Sequence, residues 1–416
     1  VRVHLATIGC RANQYDTETV AAMAAAAGWT LVADAAEADL ALVNSCAVTA
    51  EAEADLRQRV RRIARVAPGV RTVVMGCASA RAPDAVRALP TVSHALAGFD
   101  AADVGEALGL PASAWGAVAA RQGGARALLR VQDGCDEHCT FCATTLARGP
   151  ARSRAIDALC DEAERLGEAH PEIVLTGIHV GAYGTDIGGS LASLVAALVR
   201  RVPTVRFRLA SVEATEVDDA LAELLTDASG RVAPYLHAPL QSGSDAVLRR
   251  MGRHWYTAAG YAAAVERLVS RTPVFGLGAD VITGFPGETD ADHAATVALV
   301  RALPFTALHV FTWSPRPGTA ALRLGDAPPA AVVEARRGEL RALGEAKAAA
   351  HRRARAGGTA DLVVVGRPDG DRTGLSEDYL SVRLSPPAPP RATRHRATLE
   401  CHDADGRATL TARLAS

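Results

Sequence analysis

The stretch Val131-Gln132-Asp133-Gly134-Cys135-Asp136-Glu137-His138-Cys139-Thr140-Phe141-Cys142 decides how the chain is read. It spaces three cysteines as Cys-x3-Cys-x2-Cys. Thiolates this close in one loop can converge on a single centre, and soft thiolate triads suit iron–sulfur clusters or zinc. The next cysteine is Cys160, so no further cysteine or histidine follows at zinc-finger spacing, which favours a cluster. A zinc knuckle or three buried thiols is the plain alternative.

The rest of the chain sets bounds on that reading. At 416 residues it is long enough for two or three domains. A hydrophobic share of 49%, a charged share of 22% and a net charge of −1 describe a globular protein and exclude a uniformly basic nucleic-acid binder. No apolar run has the length of a membrane helix. Val1–Leu5 carries charge and leads into a strand-like run, so no signal peptide is expected at this end. Eight cysteines, three of them at metal-type spacing, do not look like a disulfide framework and point to a reducing compartment, the cytoplasm.

Upstream of the triad the pattern alternates strands and helices. Strands are expected over Val3–Thr7, Leu40–Asn44 and Thr72–Met75, and helices over Thr17–Ala27 and Glu51–Val66, a βαβαβ order that implies a small parallel sheet. Each strand runs into a cysteine: Gly9-Cys10, Ser45-Cys46 and Gly76-Cys77. Carboxyl ends of parallel strands share one edge, where ligands bind, so Cys10, Cys46 and Cys77 should meet as a second triad. Ordinary burial of three cysteines at strand ends is the alternative.

The local sequences carry a resemblance. Thr7-Ile8-Gly9-Cys10-Arg11-Ala12-Asn13-Gln14-Tyr15-Asp16, Asn44-Ser45-Cys46-Ala47-Val48-Thr49 and Met75-Gly76-Cys77-Ala78 resemble the three cluster segments of the methylthiotransferase N-terminal domain. The loop at Cys135, Cys139 and Cys142, with Phe141 before its last cysteine, resembles the cluster loop of radical S-adenosylmethionine (SAM) enzymes. The resemblance implies two [4Fe-4S] clusters, one chelating SAM and one auxiliary, with Phe141 packed near the adenine of SAM.

Downstream, Leu128–Gln132, Glu172–Thr176, Val205–Ala210, Pro234–Leu240, Val274–Ile282 and Ala307–Trp313 read as six strands. Helical stretches lie between them at about 153–169, 190–201, 216–228, 244–270 and 289–303. That order suggests a partial barrel whose active face is at the strand carboxyl ends. Those ends carry polar and glycine residues: Thr176-Gly177-Ile178-His179, Ala210-Ser211-Val212-Glu213, Leu240-Gln241-Ser242-Gly243-Ser244-Asp245 and Asp280-Val281-Ile282-Thr283-Gly284. Ser244-Asp245 and Glu288-Thr289-Asp290 would also serve as helix caps. As a set these stretches resemble the radical SAM core of methylthiotransferases through to Ser314-Pro315-Arg316-Pro317-Gly318-Thr319. The resemblance places Phe141, Gly177, Ser211, Glu213, Gln241, Ser242 and Arg154 against SAM. Arg148, Arg152 and Arg154 match an Arg-Gly, Arg-Ser-Arg segment of the family and suit SAM or tRNA phosphate. The chain departs from the family in reading Ala143-Thr144-Thr145-Leu146 where an Ile-Ile-Pro-type stretch is usual.

Residues 101–125 read as a linker, and 329–356 as a long helix ended by Gly357-Gly358. Beyond it, Ala360–Val365, Tyr379–Leu384, Arg396–Cys401 and Ala408–Arg413 read as strands, with turns at Pro368-Asp369-Gly370 and Asp405-Gly406, and suggest a small β-barrel. Its position matches the family's RNA-binding TRAM domain, and Arg391, Arg394, His395 and Arg396 form a short basic patch there. Cys160 and Cys401 read as packing residues.

The expected architecture is α/β. A methylthiotransferase N-terminal domain spans 1–112, a partial (β/α)6 radical SAM core 121–352, and a TRAM-like RNA-binding β-barrel 356–416. Thr176–Gly184 and Leu308-His309-Val310-Phe311 look most like the MtaB branch, which acts on N6-threonylcarbamoyladenosine beside the tRNA anticodon. The resemblance implies hydrogen abstraction from C2 of that adenine by a radical derived from SAM, sulfur from the auxiliary cluster and a methyl group from a second SAM. It implies three partners: the tRNA anticodon loop, an electron donor such as flavodoxin or ferredoxin, and a sulfur source; no membrane is involved. A threonylcarbamoyl group needs donors, for which His179, His237, His309, Arg148, Arg152 and Arg154 are candidates. The rivals are a sister enzyme acting on isopentenyladenosine or a ribosomal-protein aspartate, and a non-catalytic zinc-containing RNA-binding protein. Elemental analysis separates the last: anaerobically reconstituted chain should carry iron with acid-labile sulfide, and zinc alone would identify a binding module.

Overall fold

The computed structural model describes residues 1–366, 372–404 and 407–414. The first unit is a five-stranded parallel sheet of β1 (Arg2–Thr7), β2 (Thr30–Leu31), β3 (Leu40–Ser45), β4 (Arg71–Gly76) and β5 (Val92–Ala95), in the order β2-β1-β3-β4-β5. The three expected strands are its centre. β3 is buried throughout, as befits the continuous apolar run Leu40-Ala41-Leu42-Val43. β2 and β5 went unread because edge strands bury little: one has two residues and the other exposes Ser93 and His94.

Two helical expectations in this unit are corrected. The first helix begins at Arg11, not Thr17, and runs Arg11–Ala26 directly from Cys10. Its first turns bury Asn13, Asp16 and Thr17, so the apolar period that marks a helix is missing there. The supposed linker 101–125 contains the helix Ala101–Leu108, capped by the Asp100 carboxylate and ended by Gly109. Val104, Ala107 and Leu108 pack with Val20, Met23 and Val73 of the first unit.

The second unit is a partial barrel. After β6 (Ala127–Arg130) come the short antiparallel pair β7 (Gln132–Asp133) and β8 (Arg152–Ser153), then β9 (Glu172–Thr176), β10 (Arg206–Leu209), β11 (Tyr235–His237), β12 (Gly276–Thr283) and β13 (Ala307–Thr312). β10-β9-β6 and β11-β12-β13 are parallel sheets, joined by parallel bridges Phe207↔Val232 and Ser211↔His237. The six parallel strands therefore stand in the expected sequence. The stretch 244–270 is two helices, Asp245–Arg250 and Ala258–Val269, because Gly252 takes a left-handed φ of 76° and Thr257 caps the second one. The stretch 153–169 opens in β8, and its helix is Ile156–Gly167. No helix among the described residues is long and apolar enough to cross a membrane.

The helix Ala330–Ala354 leads to a closed barrel of β14 (Thr359–Val364), β15 (Thr373–Leu375), β16 (Ser381–Leu384), β17 (Arg394–Ala404) and β18 (Arg407–Leu414). Five strands replace the four expected. Tyr379 and Leu380 fall outside the strand assigned to them, Tyr379 having a left-handed φ of 72°. The turns expected at 368–370 and 405–406 lie outside the described residues.

The two barrels are locked by buried charge. Arg206 and Arg208 have fully buried side chains and grip fully buried Glu172, at 2.6 Å and 2.9 Å. Burial alone would raise the Glu172 pKa; the two guanidiniums hold it well below the usual carboxylate range. Their remaining N–H groups donate to the carbonyls of Asp361 (2.7 Å), Ser376 (2.8 Å) and Glu377 (2.9 Å). The C-terminal barrel thus docks against the strand starts of β9 and β10. Deleting it would strip partners from two buried cations, so that deletion cannot test RNA affinity alone. Breaking a buried ion pair by removing one partner costs about 3–5 kcal/mol. Glu172→Ala should lower stability by about that much in urea unfolding and speed hydrogen exchange at residues 375–379; a loss below about 1 kcal/mol would contradict the lock.

Candidate active site

The cysteines at 10, 46 and 77 follow three adjacent strands, and side chains sew their loops together. Asn13 Nδ2 donates to the carbonyls of Ile8 (2.8 Å) and Ser45 (2.9 Å), Asn44 Nδ2 to that of Asn13 (2.8 Å), and Ser45 Oγ to that of Met75 (2.6 Å). Close approach requires glycine before two of the cysteines. Gly9 has φ 113°, and a Cβ there would lie 2.7 Å from Cys46 Cβ. Gly76 has φ 97°, and its Cβ would lie 2.5 Å from the Ser45 carbonyl.

The second triad rides the loop after β7. Cys135 N–H donates to Gly149 O (3.1 Å), and Thr140 N–H and Oγ1 donate to the carbonyls of Met251 and Arg250 (2.8 Å each). The break between the helices Asp245–Arg250 and Ala258–Val269 therefore holds the cluster loop. Both triads line one cavity of about 400 Å³.

Five of the six sulfurs sit within reach of a nitrogen. Arg148 Nε approaches Cys77 Sγ (3.4 Å), Arg253 Nη1 approaches Cys139 (3.4 Å), and His179 Nδ1 approaches Cys135 (3.6 Å). The amides of Val48 and Thr144 point at Cys46 (3.5 Å) and Cys142 (3.3 Å). Cys10 Sγ lies 3.8 Å from Asn13 Oδ1. Donors aimed at sulfur fit thiolates, and hydrogen bonds to cluster sulfur tune a cluster's potential. All six cysteines are free of disulfides. Burial pushes the Cys46 and Cys77 thiols up and takes Cys139 up to about 12, with Arg253 offsetting part of the rise. Iron binding must then release those protons, with the nearby cations favouring the thiolates. The donor set fits two clusters held by three thiolates each.

The cations are themselves held. Arg253 pairs with Glu213 and stacks over Trp255 at 4.8 Å, while Trp255 Nε1 also donates to Glu213. Burial pushes the His179 pKa down, but hydrogen bonds with Cys135 and Glu216 outweigh it and bring it to about 10. Arg148 reaches Asp133 (3.2 Å), Asn13 (2.5 Å) and Asp16 (3.4 Å) as well as Cys77. Asp280 accepts from His237 Nε2 (3.0 Å) and His309 Nδ1 (3.1 Å), which hold it well below the usual carboxylate range against the effect of burial.

Of the residues expected against SAM, Phe141, Gly177, Glu213 and Gln241 line the cavity. Gln241 does so with φ 62°, a conformation that costs a non-glycine residue energy and clusters at functional sites. Ser211, Ser242 and Arg154 are not in that wall. Ser211 is an exposed strand end. Buried Ser242 accepts from the Ser244 amide (3.2 Å) and supports the turn. Arg154 donates to Glu162 (2.7 Å), Tyr15 (3.1 Å) and the Arg130 carbonyl (2.9 Å), joining the first unit to the barrel. The sequence reading missed Arg253, Asp133 and Asn13. Arg253 was hidden inside a stretch read as one helix, and only the Gly252 before it hinted otherwise. In the basic patch, Arg394 pairs with Asp361 (Nε at 2.7 Å), Arg391 donates to Gly123 O (2.9 Å), and His395 bonds Thr393 (2.8 Å).

Comparison with known proteins agrees with this layout. Residues 2–98 match the Uncharacterized protein family UPF0004, and residues 129–300 match the Radical SAM superfamily. The chain is 36% identical over 340 residues to the threonylcarbamoyladenosine tRNA methylthiotransferase MtaB of Thermotoga maritima, covering 77% of each chain. It is 34% identical to the protein of that name in Bacillus subtilis, over 77% of this chain and 75% of the other. The tRNA-2-methylthio-N(6)-dimethylallyladenosine synthase of Sphingopyxis alaskensis is 33% identical over 92% of this chain and 91% of its own. Among solved structures, the radical SAM methyltransferase TsrM of Kitasatospora setae superposes with a TM-score of 0.53 at 16% identity, over 74% of this chain and 72% of that one, a likeness of fold. With two facing cysteine triads on this fold and relatives of this identity and coverage, the chain belongs to the radical SAM methylthiotransferase family.

Proposed function

We propose that this enzyme adds a methylthio group to C2 of N6-threonylcarbamoyladenosine at position 37 of tRNA. The observation that carries the proposal is the shared cavity: two triads from different units face one space of about 400 Å³. In this reading Cys135, Cys139 and Cys142 hold the SAM-chelating [4Fe-4S] cluster, and Cys10, Cys46 and Cys77 the auxiliary one. Bound there, the clusters and SAM supply radical generation, sulfur and the methyl group. The chain's own residues do the placing. Arg148, Arg253 and His179 hold charge against the thiolates. Phe141, set edge-on to Phe285 at 6.2 Å, offers an aromatic wall for the SAM adenine. A base from the single-stranded anticodon loop can be splayed into such a space.

Residues 1–112 are proposed to deliver sulfur, 121–352 to generate the radical, and 356–416 to hold RNA as a TRAM-like barrel. Flavodoxin or ferredoxin is the proposed class of electron donor, a separate sulfur source is needed, and the cytoplasm is the proposed site. The sister reading, isopentenyladenosine, draws on the Sphingopyxis relative. The threonylcarbamoyl reading is favoured by the imidazole and carboxylate groups at the strand ends, which suit a polar N6 group.

Three results are expected. Reconstituted chain should hold about eight irons, and Cys10→Ala, Cys46→Ala or Cys77→Ala should remove half. Cys77→Ala should still form 5′-deoxyadenosine without methylthiolated product, whereas Cys139→Ala should form neither; normal product from Cys77→Ala would reject the sulfur-delivery role. One anaerobic reaction offering both tRNAs should give product on the threonylcarbamoyl tRNA alone. Product only on the isopentenyl tRNA would place the enzyme in the sister branch.

A further inference from the structure

Most of the basic side chains near the cavity are already engaged. Arg148, Arg253 and His179 face sulfur. Arg154 faces Glu162. His237 is 9% exposed and enclosed between Tyr235 Oη (3.5 Å) and Asp280. His309 differs. Its side chain is 59% exposed, Nδ1 is fixed on Asp280 at 3.1 Å, and Nε2 has no hydrogen-bond partner among the described residues. It stands on β13 directly across from Asp280 on β12. The alternate residues Leu308 and Val310 pack on the apolar core, so His309 and Phe311 share the other face. Phe311 is 48% exposed, with its ring 6.4 Å from the imidazole, a free aromatic surface of the kind on which bases stack.

A second cation approaches from the other triad. Arg11 follows Cys10 and opens the first helix. One Nη2 donates to Tyr379 Oη at 2.7 Å, and Tyr379 stacks on Tyr235 at 4.5 Å. The positive field of Arg11 reaches His309 and opposes its protonation, yet the hydrogen bond to Asp280 keeps the imidazole's pKa raised. Arg11 and His309 thus stand at the two ends of one run of rings, Tyr379, Tyr235 and His237, beside the cavity-wall residue Asp280, which two imidazoles already share.

The geometry points to Arg11 and His309 as the pair that reads the N6 substituent by binding its carboxylate, with Asp280 as the positioning residue that fixes the imidazole. This rests on the proposed substrate. In adenine, C2 and the carbon bearing N6 both border N1, so an N6 group must lie close to whatever faces C2. An apolar isopentenyl group would offer His309 Nε2 and Arg11 no acceptor, and a site built for polar partners strongly rejects an analogue lacking them.

The test measures binding of the iron-loaded full chain to three anticodon stem-loops. These carry threonylcarbamoyladenosine, its neutral methyl ester, or isopentenyladenosine. The free acid should bind about tenfold or more tighter than the ester, since a charged hydrogen bond is lost in the ester. His309→Gln and Arg11→Gln should each bring the ratio of the two dissociation constants towards one. A merely structural role would weaken both RNAs alike and leave the ratio intact, which would overturn the inference. Iron content is checked in both variants; if Arg11→Gln loses iron, His309→Gln decides. Wild-type protein that methylthiolates the threonylcarbamoyl RNA but does not distinguish acid from ester defeats this inference alone. Failure to act on that RNA at all defeats the substrate reading. A metal ion beyond the cluster irons, bound by the wild type and lost in His309→Gln, would overturn the inference in favour of a His237–Asp280–His309 metal site, since these donor atoms lie within 4.8 Å of one another.

Discussion

Arg148 is the contact on which the active site depends. Its guanidinium, with the side chain 2% exposed, spans from Cys77 at the end of β4 to Asp133 at the end of β7, two residues before Cys135. It also holds Asn13 and Asp16 on the helix that follows Cys10. One cation thus ties the thiol of one triad to the loop that carries the other. A buried charge is tolerated only when it is paired and hydrogen-bonded. Arg148 therefore demands that the two units meet in one arrangement, and that arrangement puts both triads in one cavity.

The same logic operates below the cavity. Glu172 between Arg206 and Arg208 would be costly if left incomplete, and the missing acceptors are main-chain carbonyls of the C-terminal barrel. The segment that supplies them continues to Tyr379, which stacks on Tyr235 and accepts from Arg11. A polar path thus runs from the C-terminal barrel to the edge of the triad of Cys10, Cys46 and Cys77. Buried ion pairs often add little net stability over apolar packing, but removing one partner is expensive. Such networks therefore fix geometry, and here the geometry is what the chemistry needs: a family member using SAM and a [4Fe-4S] cluster must hold its reacting parts in register.

What could be read from the sequence was what local spacing or topology encodes. Cys135, Cys139 and Cys142 lie within one loop, and Cys10, Cys46 and Cys77 each close a strand whose parallel neighbours follow from the βαβ order. What escaped are the roles that arise from long-range approach. Arg148 meets Cys77 across 71 positions and Arg253 meets Cys139 across 114, and no periodicity announces either. The arginines expected at SAM or phosphate show the limit of residue-type reasoning. A guanidinium suits any carboxylate, and in Arg154 it serves Glu162 between two units. The first turns of the helix, from Arg11 to Asp16, were not read because their buried side chains are largely polar, and Asn13 there sews the cysteine loops together.

The central claim is that two iron-binding triads face each other across one cavity. Crystals of the anaerobically reconstituted chain, measured at the iron absorption edge, test it directly. Two anomalous peaks are predicted in that cavity, one bonded to Cys10, Cys46 and Cys77 and the other to Cys135, Cys139 and Cys142, with Arg148 lying between the two loops. A single peak at Cys135, Cys139 and Cys142 in fully loaded protein, with the other three thiols bare, would contradict it.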